Sequence, residues 1–218
     1  MNRTGEVTVV RGTDELFARS AHLFESAEDI ACAANDLHTW AITRPARDAD
    51  HGPPPQGTGG KRIRKLYRPG VLLDPATAHH VRNAARIGAD VRITPDELNE
   101  TIILDRRMAI LAGDVTAGVR SYSVVTLPEV LQGIMSLFEA AWRGAAELAV
   151  YDARLDEIRQ LAPSILDLLN SGCKDEVAAR SLGLGLRTYR RRVAELMTAL
   201  GASSRFQAGA RARELGLV

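Results

Sequence analysis

Aromatic residues are scarce in this 218-residue chain, at 5% of the total, so any core must be built from Leu, Val, Ile and Ala. Cysteine is scarcer still: Cys32 and Cys173 stand far apart, in no metal-ligand spacing. A disulfide framework and a cysteine metal site are therefore not expected, and the cytoplasm is the expected compartment. No apolar run approaches the ~18–20 residues of a membrane span. Residues 1–6 hold no apolar stretch ahead of Val7, so no signal peptide is expected. Lysine is nearly absent, at Lys61, Lys65 and Lys174; with abundant Ala, this reads as codon bias rather than function. What remains is ordinary globular composition, 45% apolar and 25% charged, long enough for one large domain or two small ones.

The net charge of +1 hides an asymmetry. Residues 164–218 carry nine basic and five acidic residues, the rest of the chain 19 and 22, giving +4 against −3. A small basic unit on a mildly acidic body points to a polyanion-binding domain attached to something else.

Along residues 6–150, strand and helix patterns alternate. Val7 to Val10, Asp29 to Ala33, Ile63 to Tyr67, Val91 to Ile93, Thr101 to Leu104, Met108 to Leu111 and Val119 to Val125 read as strands. Asp105-Arg106 is a tight-turn candidate. Helices are expected after Gly12 and from Asp74-Pro75, where Asp caps and Pro takes the first helical position. His79-His80 on that second helix reads as an exposed polar pair. Thr126-Leu127-Pro128-Glu129 offers a capping box for a long amphipathic helix reaching Leu148. The stretch 44–60, with four prolines and four glycines, reads as a mobile surface loop. The expectation is an α/β domain, a mixed sheet flanked by helices.

From about Leu155 the pattern is helical throughout. Pro163 fits only in the first turn of its helix. Lys174 to Ser181 is a short helix, Leu182-Gly183-Leu184-Gly185 a break, and Leu186 to Leu200 a longer helix. Small Ala178 or Ala179 permits a close crossing, Gly183 supplies positive φ, and Leu182, Leu184 and Val193 lock the pair. The second helix carries Arg187, Thr188, Arg190, Arg191 and Arg192. Arginine serves both guanine edges and phosphates, so this is a helix-turn-helix with a reading helix. Ser203-Ser204 caps a last helix, on which Ala208, Gly209 and Ala212 offer a small-residue patch for a second subunit.

The stretch 172–193, with Val177-Ala178-Ala179, Leu182-Gly183-Leu184 and Arg190-Arg191-Arg192-Val193, resembles the LuxR-type DNA-binding domain. The likeness continues in Leu200-Gly201-Ala202-Ser203-Ser204-Arg205 and Arg213-Glu214-Leu215-Gly216-Leu217. It implies an all-α four-helix domain over 155–218. Its third helix would enter the major groove and its fourth would pair in a homodimer. The DNA contacts implied are Lys174, Arg187, Thr188, Arg190, Arg191, Arg192, Ser204 and Arg205. Departures are Gly185 where Ser or Thr usually caps, Tyr189 at a β-branched position, and Cys173 at an aliphatic one. Cys173 reads as a small buried hydrophobe.

Residues 6–150 resemble half of a phospholipase D-like fold and, more narrowly, the effector domain of TrmB-type regulators. The likeness rests on Arg64-Lys65-Leu66-Tyr67, Ile87-Gly88-Ala89-Asp90-Val91-Arg92 and Ile102-Ile103-Leu104-Asp105-Arg106-Arg107-Met108-Ala109-Ile110. Phospholipase D-like enzymes use His-x-Lys-x4-Asp. Placing Asp105 at the acid puts Leu98 at the nucleophile and Glu100 at the lysine, and no His-x-Lys occurs anywhere in the chain. Leucine cannot attack phosphorus, so no catalytic residue, cofactor or metal is expected. Tyr67, Arg68 and Asp105 could line an effector pocket; as ordinary loop and hairpin polarity they need no ligand. The reading is a cytoplasmic, homodimeric, DNA-binding transcription regulator with a non-catalytic sensor or dimerisation domain, which a small-molecule or protein effector could address. The alternatives are a phosphodiesterase or nuclease, and a protein-binding inhibitor of another regulator.

Overall fold

The structure is a computed structural model and describes residues 5–34 and 59–218. The loop expected at 44–60 lies outside the described residues, apart from Gly59 and Gly60, which form a turn. The strands are β1 (Val7–Arg11), β2 (Asp29–Ala34), β3 (Arg62–Tyr67), β4 (Asp90–Ile93), β5 (Thr101–Leu104), β6 (Met108–Thr116), β7 (Val119–Val125) and β8 (Ala146–Glu147). The α-helices are α1 (Thr13–Ser26), α2 (Pro75–Arg86), α3 (Pro128–Gly144), α4 (Leu148–Asn170), α5 (Asp175–Ser181), α6 (Leu186–Ala199) and α7 (Arg205–Glu214). The strands form one sheet in the order β1-β7-β6-β5-β2-β3-β4-β8. Parallel β2, β3 and β4 sit among antiparallel neighbours, so the sheet is mixed.

Side-chain alternation sends successive residues to opposite faces. Ala31, Ala33, Leu66, Ile103 and Ala109 lie under α3, against Leu131, Phe138 and Trp142. Val10, Ile102, Ile110 and Tyr122 point the other way and pack with Leu16 of α1. Tyr67, Val91 and Ile93 share that second face and join the largest cluster, which runs through α2 and α4 into α5, α6 and α7. Under α3 the sheet is not wholly apolar. Buried Arg64 lies 5.2 Å from the Phe138 ring centre and 5.6 Å from that of Trp142, and binds Glu139 at 2.7 Å. The rings and the carboxylate together offset its desolvation.

Local chemistry explains most element boundaries. Asp74 accepts from the Thr77 amide at 2.7 Å and Pro75 opens α2, on which His79 and His80 are exposed. Asp105 and Arg106 have φ of 49° and 56° at the centre of a turn closed by the Arg107 amide on the Leu104 carbonyl at 2.9 Å, within a three-residue hairpin loop. Tertiary contacts override local chemistry at three points. Thr126 does not cap α3: its hydroxyl accepts from the Glu6 amide at 3.1 Å, because the chain is still paired to the N-terminal strand there, and Leu127 is the cap residue. The amphipathic helix stops at Gly144 rather than Leu148, since Ala146 and Glu147 pair with β4. Pro163 lies in the interior of α4, not in its first turn. Proline there forfeits the bond to the Arg159 carbonyl. Burial of Ile158, Ala162, Ile165 and Leu166 around it, worth roughly 1.5–3 kcal/mol for each large side chain, outweighs that loss.

The boundary expected at 150–155 falls in the first turns of α4, which continues without a break. Ile165 is fully buried in the cluster shared by the sheet and the C-terminal helices. Ile165→Ala is therefore expected to cost about 2–5 kcal/mol. Urea unfolding followed by far-UV circular dichroism and by Trp142 fluorescence in a Trp40→Phe background should show one coincident, lowered transition; two separated transitions would contradict the shared core.

Candidate nucleic-acid interface

α4 ends at Asn170 with Ser171 as its cap residue. α5 is a seven-residue helix that closes on Leu182. Gly183 takes φ of +66°, and the Leu184 amide reaches back to the Ala179 carbonyl at 2.8 Å. That six-to-one bond requires a left-handed residue, which glycine adopts without strain. Ala178 and Ala179 are buried in the main cluster with Tyr189, Val193 and Leu196 of α6. Tyr189 fills the volume a β-branched residue would leave empty. Gly185 caps α6 without a side-chain bond, and Cys173 is half-buried against the same cluster.

With Tyr189, Val193 and Leu196 inward, helical periodicity turns Arg187, Arg190, Arg191, Ala194 and Thr198 to solvent. Thr188 is half-buried on the flank. Arg192 falls beside the buried stripe. Its side chain is 16% exposed and pairs with Glu195 at 2.8 Å and with Glu157 of α4. It therefore braces α6 against α4 and is removed from the expected reading face. Lys174 and Arg187 are exposed, with no carboxylate of the described residues within ion-pair distance. Arg191 lies 3.7 Å from Glu195. Ser204 caps α7, accepting from the Gln207 amide at 3.1 Å.

Sequence reasoning missed the residue that organises this surface. Asp175, the first residue of α5, accepts from Arg190 of α6 at 2.9 Å and pairs with Arg205 of α7 at 2.7 Å. One half-buried carboxylate thus links three helices and presets two arginines. Hydrogen bonds from Arg205 and then Arg190 hold its carboxyl below the usual aspartate range. The signal available in the sequence was an acidic first turn, which helix-dipole reasoning assigns to α5 alone. The small-residue patch on α7 is also corrected. Ala208 and Ala212 are fully buried within the chain, so they cannot meet a second subunit. Phe206, Gly209, Ala210 and Arg213 face outward instead, with Phe206 89% exposed.

Tyr67, Arg68 and Asp105 do not form one pocket. Tyr67 is buried in the core at the end of β3, and burial raises its hydroxyl pKa. β2 runs parallel to β3 and antiparallel to β5, which places Asp105 beside Asp29, five strand positions or about 17 Å from Tyr67. There its Oδ1 accepts from the Glu28 and Asp29 amides at 2.8 and 2.9 Å, which lowers its pKa and ties the hairpin to the start of β2. At the opposite end, Leu98 packs against the cluster under α3, and buried Glu100 pairs with Arg120 at 2.6 Å. No cluster of metal-ligating side chains occurs among the described residues, and none of their helices is long and apolar enough to cross a membrane.

No protein-family model matches the chain. It is 31% identical over 160 residues to the bialaphos biosynthetic pathway regulatory protein of Streptomyces hygroscopicus. The aligned part is 73% of this chain and 62% of that protein, so the chain spans less than two thirds of the relative's length. Among solved structures, it overlaps the phospholipase D family member Nuc from Salmonella typhimurium at a TM-score of 0.46 and 13% identity, over 65% of this chain and 98% of that one. The corresponding values for NucT from Helicobacter pylori are 0.47, 8%, 66% and 100%. For TrmBL2, an archaeal chromatin protein, they are 0.45, 16%, 65% and 54%. At TM-scores below 0.5 these likenesses fix neither fold nor function.

The lowered Asp175 pKa gives a signed pH dependence. Its contribution is complete above the unfolded aspartate pKa, ~3.9, and is lost as pH falls through the lower folded value. The Tm of the parent should therefore fall more steeply below pH 4 than that of Asp175→Asn, and the Tm gap between the two should narrow with acid. Thermal unfolding from pH 6 to pH 3 checks this; a constant gap would remove Asp175 from the acid response.

Proposed function

We propose that this protein is a sequence-specific DNA-binding transcription regulator. In this reading α4–α7 form a LuxR-type helix-turn-helix domain and α6 enters the major groove. The observation that carries it is the outward arginine face of α6, set behind a short helix and the Gly183 turn. The same orientation that buries Tyr189, Val193 and Leu196 turns Arg187, Arg190 and Arg191 outward, with Arg190 held in place by Asp175. Lys174, Ser204 and Arg205 flank that face and suit phosphate contacts; Arg192 braces it from behind. The regulatory name of the Streptomyces relative supports the same class of function.

The sheet domain is, in this proposal, a degenerate phospholipase D-like unit that senses or dimerises rather than hydrolyses. Leu98 offers no nucleophile, and Glu100 would repel a phosphate. A homodimer would bring two α6 helices to half-sites about one helical turn apart, ~10 base pairs between centres. The outward stripe of Phe206, Gly209 and Ala210 on α7 suits one such contact.

If a dimer neutralises about three phosphates per subunit, log K should fall with log salt at a slope of roughly −5. Arg187→Ala/Arg191→Ala should weaken operator binding and flatten that slope. Arg192→Ala should lower thermal stability and leave the slope unchanged. Filter binding across salt concentrations tests both; undiminished binding by the double variant would overturn the reading. The purified chain is also expected to leave a generic phosphodiester unhydrolysed, and turnover abolished by an Asp105 substitution would restore the enzyme alternative.

A further inference from the structure

Two arginines meet where the sheet body touches the last helix. Arg68 follows β3 directly, and its side chain is only 9% exposed. Arg211 comes from α7, and its Nε is buried without a hydrogen-bond partner. Both guanidinium groups converge on one oxygen, Oε1 of Glu97, with Arg68 at 3.6 Å. Glu97 is itself 72% exposed. Among the described residues the Arg68 guanidinium, with its five donors, makes no hydrogen bond, while its backbone carbonyl accepts from the Val71 amide. A buried guanidinium nitrogen without a partner, as at Arg211 Nε, is costly. The two arginines also repel: burial first, and Arg211 second, lower the Arg68 pKa, and the Glu97 and Glu214 carboxylates only partly counter them. Beside them lies a cavity of about 50 Å³, lined by Arg68, Gly70, Ala199, Arg211, Glu214 and Leu215. A water needs roughly 10–15 Å³, so this one has room for a carboxylate or phosphate group.

We propose that this junction is a binding site for a small oxyanion, held between Arg68 and Arg211, with the Glu97 carboxylate as its built-in competitor. The bound anion would fill the donors that one shared glutamate oxygen leaves open. Glu214 on the rim limits the charge the site accepts and favours a single head group over a polyanion. The site ties α7 to the sheet. Gly201, at φ +64°, lies directly against the Arg68 guanidinium, so a side chain there would displace it. An anion between the arginines therefore strengthens the docking of the helical unit on the body. Its value as a regulatory input rests on the DNA-binding reading; the site itself does not.

The test uses the full chain without DNA, so it stands apart from that reading. Thermal unfolding is followed in inorganic phosphate, in malonate and in potassium chloride at matched ionic strength. A saturable rise of about 5 °C in phosphate or malonate, absent in chloride, is expected; whichever anion acts identifies phosphate or carboxylate as the head group. Arg211→Met should abolish the rise. Glu97→Gln, a surface change that leaves the core intact, should bind the active anion several-fold more tightly by isothermal titration calorimetry. An equal rise in chloride, no rise in either oxyanion, a rise retained by Arg211→Met, or unchanged affinity in Glu97→Gln would each overturn the proposal.

Discussion

The apolar stripe of α4 must be buried on two sides at once, and the arrangement of the chain follows from that. Ile158, Ala162, Ile165 and Leu166 are almost fully covered, partly by the sheet face with α2 and partly by the C-terminal helices. Neither side alone hides the stripe. The cost of an interior Pro163 is accepted because a break there would divide this cluster. Once α4 is fixed, Val193 and Leu196 of α6 must turn toward it. The opposite side of α6 is then left to solvent, and that side carries the arginines.

Charge is arranged around the same frame. Arg192 and Glu157 join α6 to α4, and Arg82 of α2 reaches Asp152 of α4, which Arg159 of the same helix also binds. Asp175 collects Arg190 and Arg205 at the outer edge. The outward arginines therefore form two groups. Arg187 has no carboxylate partner among the described residues, whereas Arg190 is held by Asp175 and Arg191 lies beside Glu195, each at the expense of part of its field. A surface built this way couples long-range attraction to fixed geometry. The exposed pairs add little to stability, since solvent screens them.

The buried cations of the sheet domain follow another rule. Arg64 is stacked on two aromatic rings and paired with Glu139, so its desolvation is offset within its own neighbourhood. Arg68 has no ring and no full partner. Arg64 nonetheless keeps a buried Nε without a partner, and at the junction with α7 the unpartnered nitrogen is the Nε of Arg211.

The sequence by itself determined the elements. β-Branched and apolar runs placed β1 to β7, with alternation at Val119 to Val125; Asp74-Pro75 and Ser203-Ser204 placed two helix starts, and Gly183 with its flanking leucines placed the turn. These are legible because caps, turns and apolar periodicity act over about four residues. Only tertiary structure decided which faces are covered. The arginine cluster pointed to α6, but the inward turn of Arg192 depends on Glu157, thirty-five residues away. Thr126 leaves its capping role for Glu6 across 120 positions. Ala208 and Ala212 are hidden by their own chain, and Asp105 stands at the wrong end of the sheet for Tyr67. In each case the competing partner is non-local. A side chain's local preference of about 1 kcal/mol yields to partners distant in the chain, and those contacts exist only after the chain has folded.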